Sequence, residues 1–165
     1  MVVAIVYQTN TGSARRYAKM LGEKTGLPVY DIKSAKKKLL KNAKIIYLGW
    51  VMANNIKGLK EAEKCFDINA VCAVGMEARE AQIKKLREKN RLPYGLPLFL
   101  LEGNFNIQKL HGIYKILMSV MISSLKKTEN RTKEDEQTLA FLLDEKDRVN
   151  EDNLEKALTW YVNLK

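Results

Sequence analysis

The chain has 165 residues, with 29 Lys+Arg against 19 Asp+Glu and a formal charge of +10. This is one domain's worth of length, its 46% hydrophobic residues can fill a sizeable core, and nine glycines and three prolines exclude collagen-like and low-complexity classes. No apolar run reaches the ~18 residues of a membrane span, and the opening MVVAIVY has no basic segment before it, so the chain reads as cytoplasmic with no secretory leader.

Strand and helix patterns alternate from the first residue. Residues 2–7 are short, apolar and β-branched, which predicts a buried strand. Residues 12–24 place Tyr17, Ala18 and Leu21 at helical spacing. A second strand is expected at 28–32, a helical turn at 36–41, and a third strand at 44–49 on Ile45, Ile46, Tyr47 and Leu48. A helix at 57–64, a fourth strand at 70–74, a helix at 78–89 and a fifth strand at 96–101 follow. Pro97 stands near the start of that last strand, where proline is tolerated. Strands that alternate with helices imply parallel pairing through right-handed crossovers.

After the fifth strand the alternation stops. Residues 107–127 predict one long helix, and 133–146 and 151–164 two more. Thr132 with Asp135, and Asn150 ahead of Glu151 and Asp152, are the helix starts. The expectation is a single three-layer α/β domain over 1–165, with 102–149 as a helical insertion before the last helix.

Side-chain catalysis finds little support. Cys65 and Cys72 form no CxxC pair, and His111 is the single histidine. A zinc site needs more ligands, and no motif surrounds His111. Both cysteines are expected to be reduced and largely buried. No catalytic side chain and no metal ligand is therefore assigned.

The positive charge is uneven. Residues 1–50 are net +8, residues 51–100 net +3 and residues 101–165 net −1. The excess concentrates at Lys36, Lys37, Lys38, Lys41 and Lys44. Such charge favours anionic partners without choosing among them.

In a parallel sheet, ligands bind beyond the carboxyl ends of the strands. After strand one comes Gln8-Thr9-Asn10-Thr11-Gly12-Ser13-Ala14, a run of small and hydroxyl residues leading into a helix. Unsatisfied N–H groups at a helix start, with added hydroxyls and a glycine, suit a phosphate monoester. Neither GxxxxGK[ST] nor GxGxxG is present. The plain alternative is N-capping by Thr11 or Ser13.

Thr9-Asn10-Thr11-Gly12-Ser13-Ala14 resembles the FMN phosphate loop of the flavodoxin family, [ST]-x-[ST]-G-x-[ST], except that Ala14 replaces the last hydroxyl residue. The resemblance implies a five-stranded parallel sheet in the order 2-1-3-4-5 and FMN as cofactor. It implies that Thr9, Asn10, Thr11, Gly12, Ser13 and Ala14 hold the phosphate. Trp50, Val51, Met52, Ala53 and Asn54, after strand three, correspond to the first flavin loop. Trp50 offers a flat face for the ring, or else sits on the rim of the core. Gly75, Met76, Glu77 and Ala78 correspond to a second, shorter loop. Leu100-Leu101-Glu102-Gly103-Asn104-Phe105-Asn106 followed by a long apolar helix is similar to the menaquinone-dependent protoporphyrinogen oxidase branch. Gly103, Asn104 and Phe105 would then border the flavin or a substrate.

The resemblance implies electron transfer or flavin oxidoreduction, with a redox partner protein or a quinone or porphyrin substrate. Positive potential near the flavin is expected to raise its reduction potential. The 107–127 helix is apolar over more than one stripe. It reads as core, or as a face for a membrane surface, a quinone or a second subunit in a homodimer. Two rivals remain: a non-redox phosphate, nucleotide or signalling module on the same fold, and a nucleic-acid-binding domain using the 36–44 lysines. A phosphoryl receiver needs aspartates where Gln8-Thr9 and Gly49-Trp50 stand, and the lysines have no aromatic interleaving, so no specific nucleic acid is expected.

Overall fold

Short apolar runs become strands, and the amphipathic segments between them become helices. The computed structural model describes residues 1–75, 80–104, 109–144 and 146–164, with Glu80 described by its backbone alone. In chain order the elements are β1 (Ala4–Gln8), α1 (Ser13–Thr25), β2 (Val29–Asp31), α2 (Ile32–Lys38), β3 (Lys44–Met52) and β4 (Asn55–Ile56). They continue with α3 (Leu59–Glu63), β5 (Asp67–Gly75), α4 (Glu80–Asn90), β6 (Leu98–Glu102), α5 (Ile113–Lys127), α6 (Lys133–Leu143) and α7 (Glu155–Val162).

The main sheet runs β2-β1-β3-β5-β6, and every neighbouring pair is parallel. With the five long-range strands counted alone, this is the expected 2-1-3-4-5 order of a flavodoxin-like, doubly wound fold. β4 was not expected. It pairs antiparallel with the end of β3, Val51 opposite Ile56 and Met52 opposite Asn55.

Helices cover both faces. On one face α1, α7 and the 3-10 turn ahead of α7 bury Tyr17, Leu21, Leu154, Ala157 and Tyr161 against Ile5, Ile46, Leu48 and Cys72. On the other, α2, α3 and α4 bury Ile32, Leu59 and Leu86 against Val6, Ile45, Tyr47 and Val71. The strands are apolar on both sides because both sides are covered. α5 and α6 form a separate small cluster of Ile122, Leu139 and Leu142, with Met118, Leu125 and Phe141 packed on it.

Several boundaries differ from the sequence reading for identifiable reasons. The third strand runs on to Met52 because β4 supplies it with a partner. α2 starts at Ile32 rather than 36 because Asp31 caps it, accepting from the N–H groups of Lys33 and Ser34 at 3.0 Å each. The helix expected over 107–127 begins at Ile113, since Gly112 ahead of it has φ 62° and ψ −148°. Residues 107 and 108 lie outside the described residues. Thr132 and Asp135 form the expected capping box of α6. The last segment begins as a 3-10 turn, Asp152–Leu154, with Asn150 accepting from the Asn153 N–H at 3.2 Å.

Both cysteines are free, Cys72 buried and Cys65 half-buried. Among the described residues no helix is long and apolar enough to cross a membrane, and no cluster of His, Cys, Asp and Glu could hold a metal ion.

Candidate functional site

The carboxyl edge of the sheet opens into a cleft of about 370 Å³. Thr9, Thr11, Ser13, Ala14, Trp50, Val51, Met52, Ala53, Asn54, Gly103 and Asn104 all line it. Three segments far apart in sequence thus meet at one opening. Asn10 and Gly12 are not on its wall. Asn10 accepts the His111 N–H at 3.3 Å, and the Gly12 N–H donates to Thr9 Oγ1 at 3.0 Å. Phe105 lies outside the described residues, as do Met76, Glu77 and Ala78; Gly75 lines the cleft.

The first segment carries the polar end. Gly12, at φ 102°, is the N-cap of α1 and offers no side-chain cap. A Cβ there would meet nothing within 4 Å, so the space beside it is open. The helical ladder begins with the Arg16 N–H donating to Gly12 O at 3.0 Å. The N–H groups of Ser13, Ala14 and Arg15 therefore lie ahead of it. Thr11 and Ser13 do not cap the helix. Thr11 Oγ1 donates to Asn104 O at 3.3 Å, and Ser13 Oγ accepts from the Asn104 N–H at 3.0 Å. Thr9 and Ser13 act as acceptors in these contacts, which leaves each hydroxyl its hydrogen to donate.

The second segment is a hairpin. Ala53 and Asn54 have φ of 48° and 59°, the positive pair of a type I′ turn. Asn tolerates that region, but alanine does not favour it. The turn is held from α4: the buried Asn90 side chain donates to Asn54 O at 2.8 Å and accepts from the Ile56 N–H at 2.9 Å. The Lys57 N–H closes the hairpin onto Trp50 O at 2.9 Å. Trp50 is thereby fixed on the cleft wall. Tyr114 of α5 meets it edge-on, with ring centroids 5.0 Å apart and planes at 90°. The Lys57 ammonium lies 5.9 Å from the Trp50 centroid and 5.2 Å from that of Tyr114.

The third segment locks the loops together. A Cβ on Gly103 would stand 2.8 Å from Val74 Cγ1 and 3.4 Å from Ser13 Cβ, so glycine alone permits this approach. The Asn104 amide donates to Asp147 Oδ1 at 2.7 Å and accepts from the Arg148 N–H at 2.7 Å. Asp147 in turn takes a two-pronged bond from Arg16, at 2.9 Å on each oxygen. The Arg16 guanidinium, then the Asn104 amide and the Val149 N–H, hold the Asp147 carboxyl well below the usual carboxylate range.

Sequence reasoning missed Val74, Gln82, Leu110, Tyr114, Met118 and Met121, which complete the wall. The apolar width of the 107–127 segment was the available signal for the last four. The charge expectation changes as well. Lys41 and Lys44 sit at the amino-terminal edge of the sheet, Lys44 about 20 Å along β3 from Trp50. Lys36 pairs with Glu61, and the Lys38 ammonium lies over the Tyr30 ring. The 36–44 cluster therefore does not face the cleft, and the cation beside Trp50 is Lys57.

Fold and cleft together define a doubly wound α/β protein with one polar and one aromatic wall at its carboxyl edge. No family model, no curated protein and no solved structure matches this chain.

Proposed function

We propose that this chain binds FMN in the carboxyl-edge cleft and works as a flavin-dependent electron carrier or oxidoreductase. The observation that carries this reading is the start of α1. It is a 13-residue helix whose N-cap is a glycine with no side-chain cap, and it opens beside hydroxyls that line a cleft with an aromatic far wall. Such an end attracts a phosphate.

The residues fit the cofactor in type and placement. The N–H groups of Ser13, Ala14 and Arg15, with the hydroxyls of Thr9 and Ser13, would take the phosphate. Trp50, Val51, Met52, Ala53 and Asn54 would hold the ring, with Gly103 and Asn104 as the floor. Ala14 serves through its backbone, so the missing hydroxyl costs one hydrogen bond and no N–H. Tyr114, Met118 and Met121 would exclude water. When bound, FMN supplies the redox chemistry, and the protein supplies orientation and electrostatics.

The apolar lining suits a quinone or porphyrin reaction partner, and protoporphyrinogen oxidation with a quinone acceptor is the specific activity to assay. We place the protein in the cytoplasm. The visible spectrum of freshly purified protein, followed by titration with FMN, tests the reading. Flavin bands or saturable FMN binding are the expected result; a colourless protein that binds no FMN overturns it. A non-redox phosphate ligand would then be the surviving alternative, tested by titration with a nucleotide.

A further inference from the structure

The turn that joins α4 to β6 holds an aromatic side chain out in water. The Leu96 N–H donates to Pro93 O at 3.1 Å, which closes a β-turn with Tyr94 and Gly95 at its corner. The Arg87 guanidinium reaches across from α4 and donates to both ends of that turn, to Pro93 O at 2.7 Å and to Leu96 O at 2.8 Å. Buried Leu92, whose N–H donates to Arg87 O at 2.9 Å, anchors its near side. Yet Tyr94 at the tip is 88% exposed, the one exposed aromatic among the described residues. A turn fixed this firmly around an exposed tyrosine is a preorganised anchor. Its backbone is already ordered, and docking restricts only two side-chain torsions.

Beside Tyr94 runs a groove between the turn and α4, with Ile83 on its wall. Three cations, Lys84, Arg87 and Arg91, and one carboxylate, Glu88, line it. Among the described residues, Lys84 and Arg91 have no carboxylate partner.

We propose that this groove is the docking site of an acidic protein segment. The segment sets an apolar side chain against Tyr94 and Ile83, and its carboxylates against Lys84 and Arg91. Charge complementarity selects this occupant. A single-stranded nucleic acid would find one stacking face only and would bring its phosphates past Glu88. A second copy docked through the same groove would repeat the same three cations. The groove shares no lining residue with the cleft, so the docking stands whatever the cleft binds.

Fluorescence anisotropy of the full-length protein with a short labelled peptide, a Leu-Phe pair flanked by glutamates, tests it. Saturable binding, weakened by salt, is expected. Tyr94→Ala should weaken it by about tenfold with the melting temperature unchanged, because the exposed ring touches little of its own chain. Lys84→Gln should weaken it by about threefold. Arg87→Lys, which keeps the charge but cannot span both carbonyls, should weaken it by about the same factor. Failure to bind the peptide, equal binding of a peptide with serines in place of the Leu-Phe pair, or equal binding by Tyr94→Ala overturns the proposal. So does tighter binding of an oligothymidylate than of the peptide, or a dimer in sedimentation that Tyr94→Ala dissolves.

Discussion

Asn90 donates from its side-chain amide to the carbonyl of Asn54 at 2.8 Å, 36 residues away in sequence. The same side chain accepts from the Ile56 N–H at 2.9 Å and donates to Leu86 O at 2.8 Å. One buried amide thus ties the end of α4 to a hairpin that forms a wall of the cleft. Asn90→Ala would leave a carbonyl and an N–H unpaired, at a cost of about 1–3 kcal/mol. Denaturant unfolding should show that loss, and FMN titration should show weaker binding as the hairpin loosens.

Ala53 sits at φ 48°, where a Cβ is unfavourable. Ala53→Gly should raise the unfolding free energy by about 0.5–1 kcal/mol, as relief of strain exceeds the added backbone entropy of glycine. A lower melting temperature for this variant would mean that the turn is not held as described.

Ser13 is buried and bonded through Oγ to the Asn104 N–H. If its hydroxyl also serves a phosphate, Ser13→Ala should weaken FMN by about tenfold, the loss of one charge-assisted hydrogen bond. Riboflavin, which has no phosphate, should be affected much less. Parallel fluorescence titrations with the two flavins separate a phosphate contact from general damage to the cleft.

Lys57 is the cation against Trp50 and Tyr114. Lys57→Gln should lower the reduction potential of bound flavin, because a nearby positive charge favours the electron-rich reduced form. A change of about 1 kcal/mol in this interaction corresponds to about 20 mV for a two-electron couple. Lys44→Gln, at the far edge of the sheet, should leave the potential where it is. Spectroelectrochemical titration of the two variants makes the comparison.

Burial pushes the Cys72 thiol up to about 12. An unfolded thiol titrates near ~8.5, so above that pH the unfolded state loses a proton that the folded state keeps. The stability contribution is complete below pH ~8.5 and declines up to about pH 12. Cys72→Ala should flatten the alkaline fall in stability by up to about 1.4 kcal/mol per pH unit. Thiol titration of native protein at pH 8 should count the half-buried Cys65 and miss Cys72.

The sequence by itself determined the strands, their parallel pairing and the polar loop after β1, while the strand order was implied by the flavodoxin resemblance. β-branched runs and helical spacing are local signals, and their alternation along the chain implies parallel pairing through right-handed crossovers. Thr9, Thr11 and Ser13 were legible for the same reason, since a hydroxyl-rich turn into a helix is read within a few residues. Tertiary structure alone decided the rest. Ala53 has no intrinsic reason to adopt positive φ, and the turn around it is clamped by Asn90 of α4. Asn104 and Asp147 are joined across 43 residues, and Tyr114 reaches Trp50 from a helix that the sequence left free to be core or surface. The 36–44 lysines looked close to the loops in the chain, but each parallel strand places its two ends at opposite edges of the sheet. Sequence proximity to a strand therefore leaves open which edge a charge occupies. The +10 balance is a property of the whole chain, and the fold decides that Lys57 is the cation set against the Trp50 and Tyr114 rings.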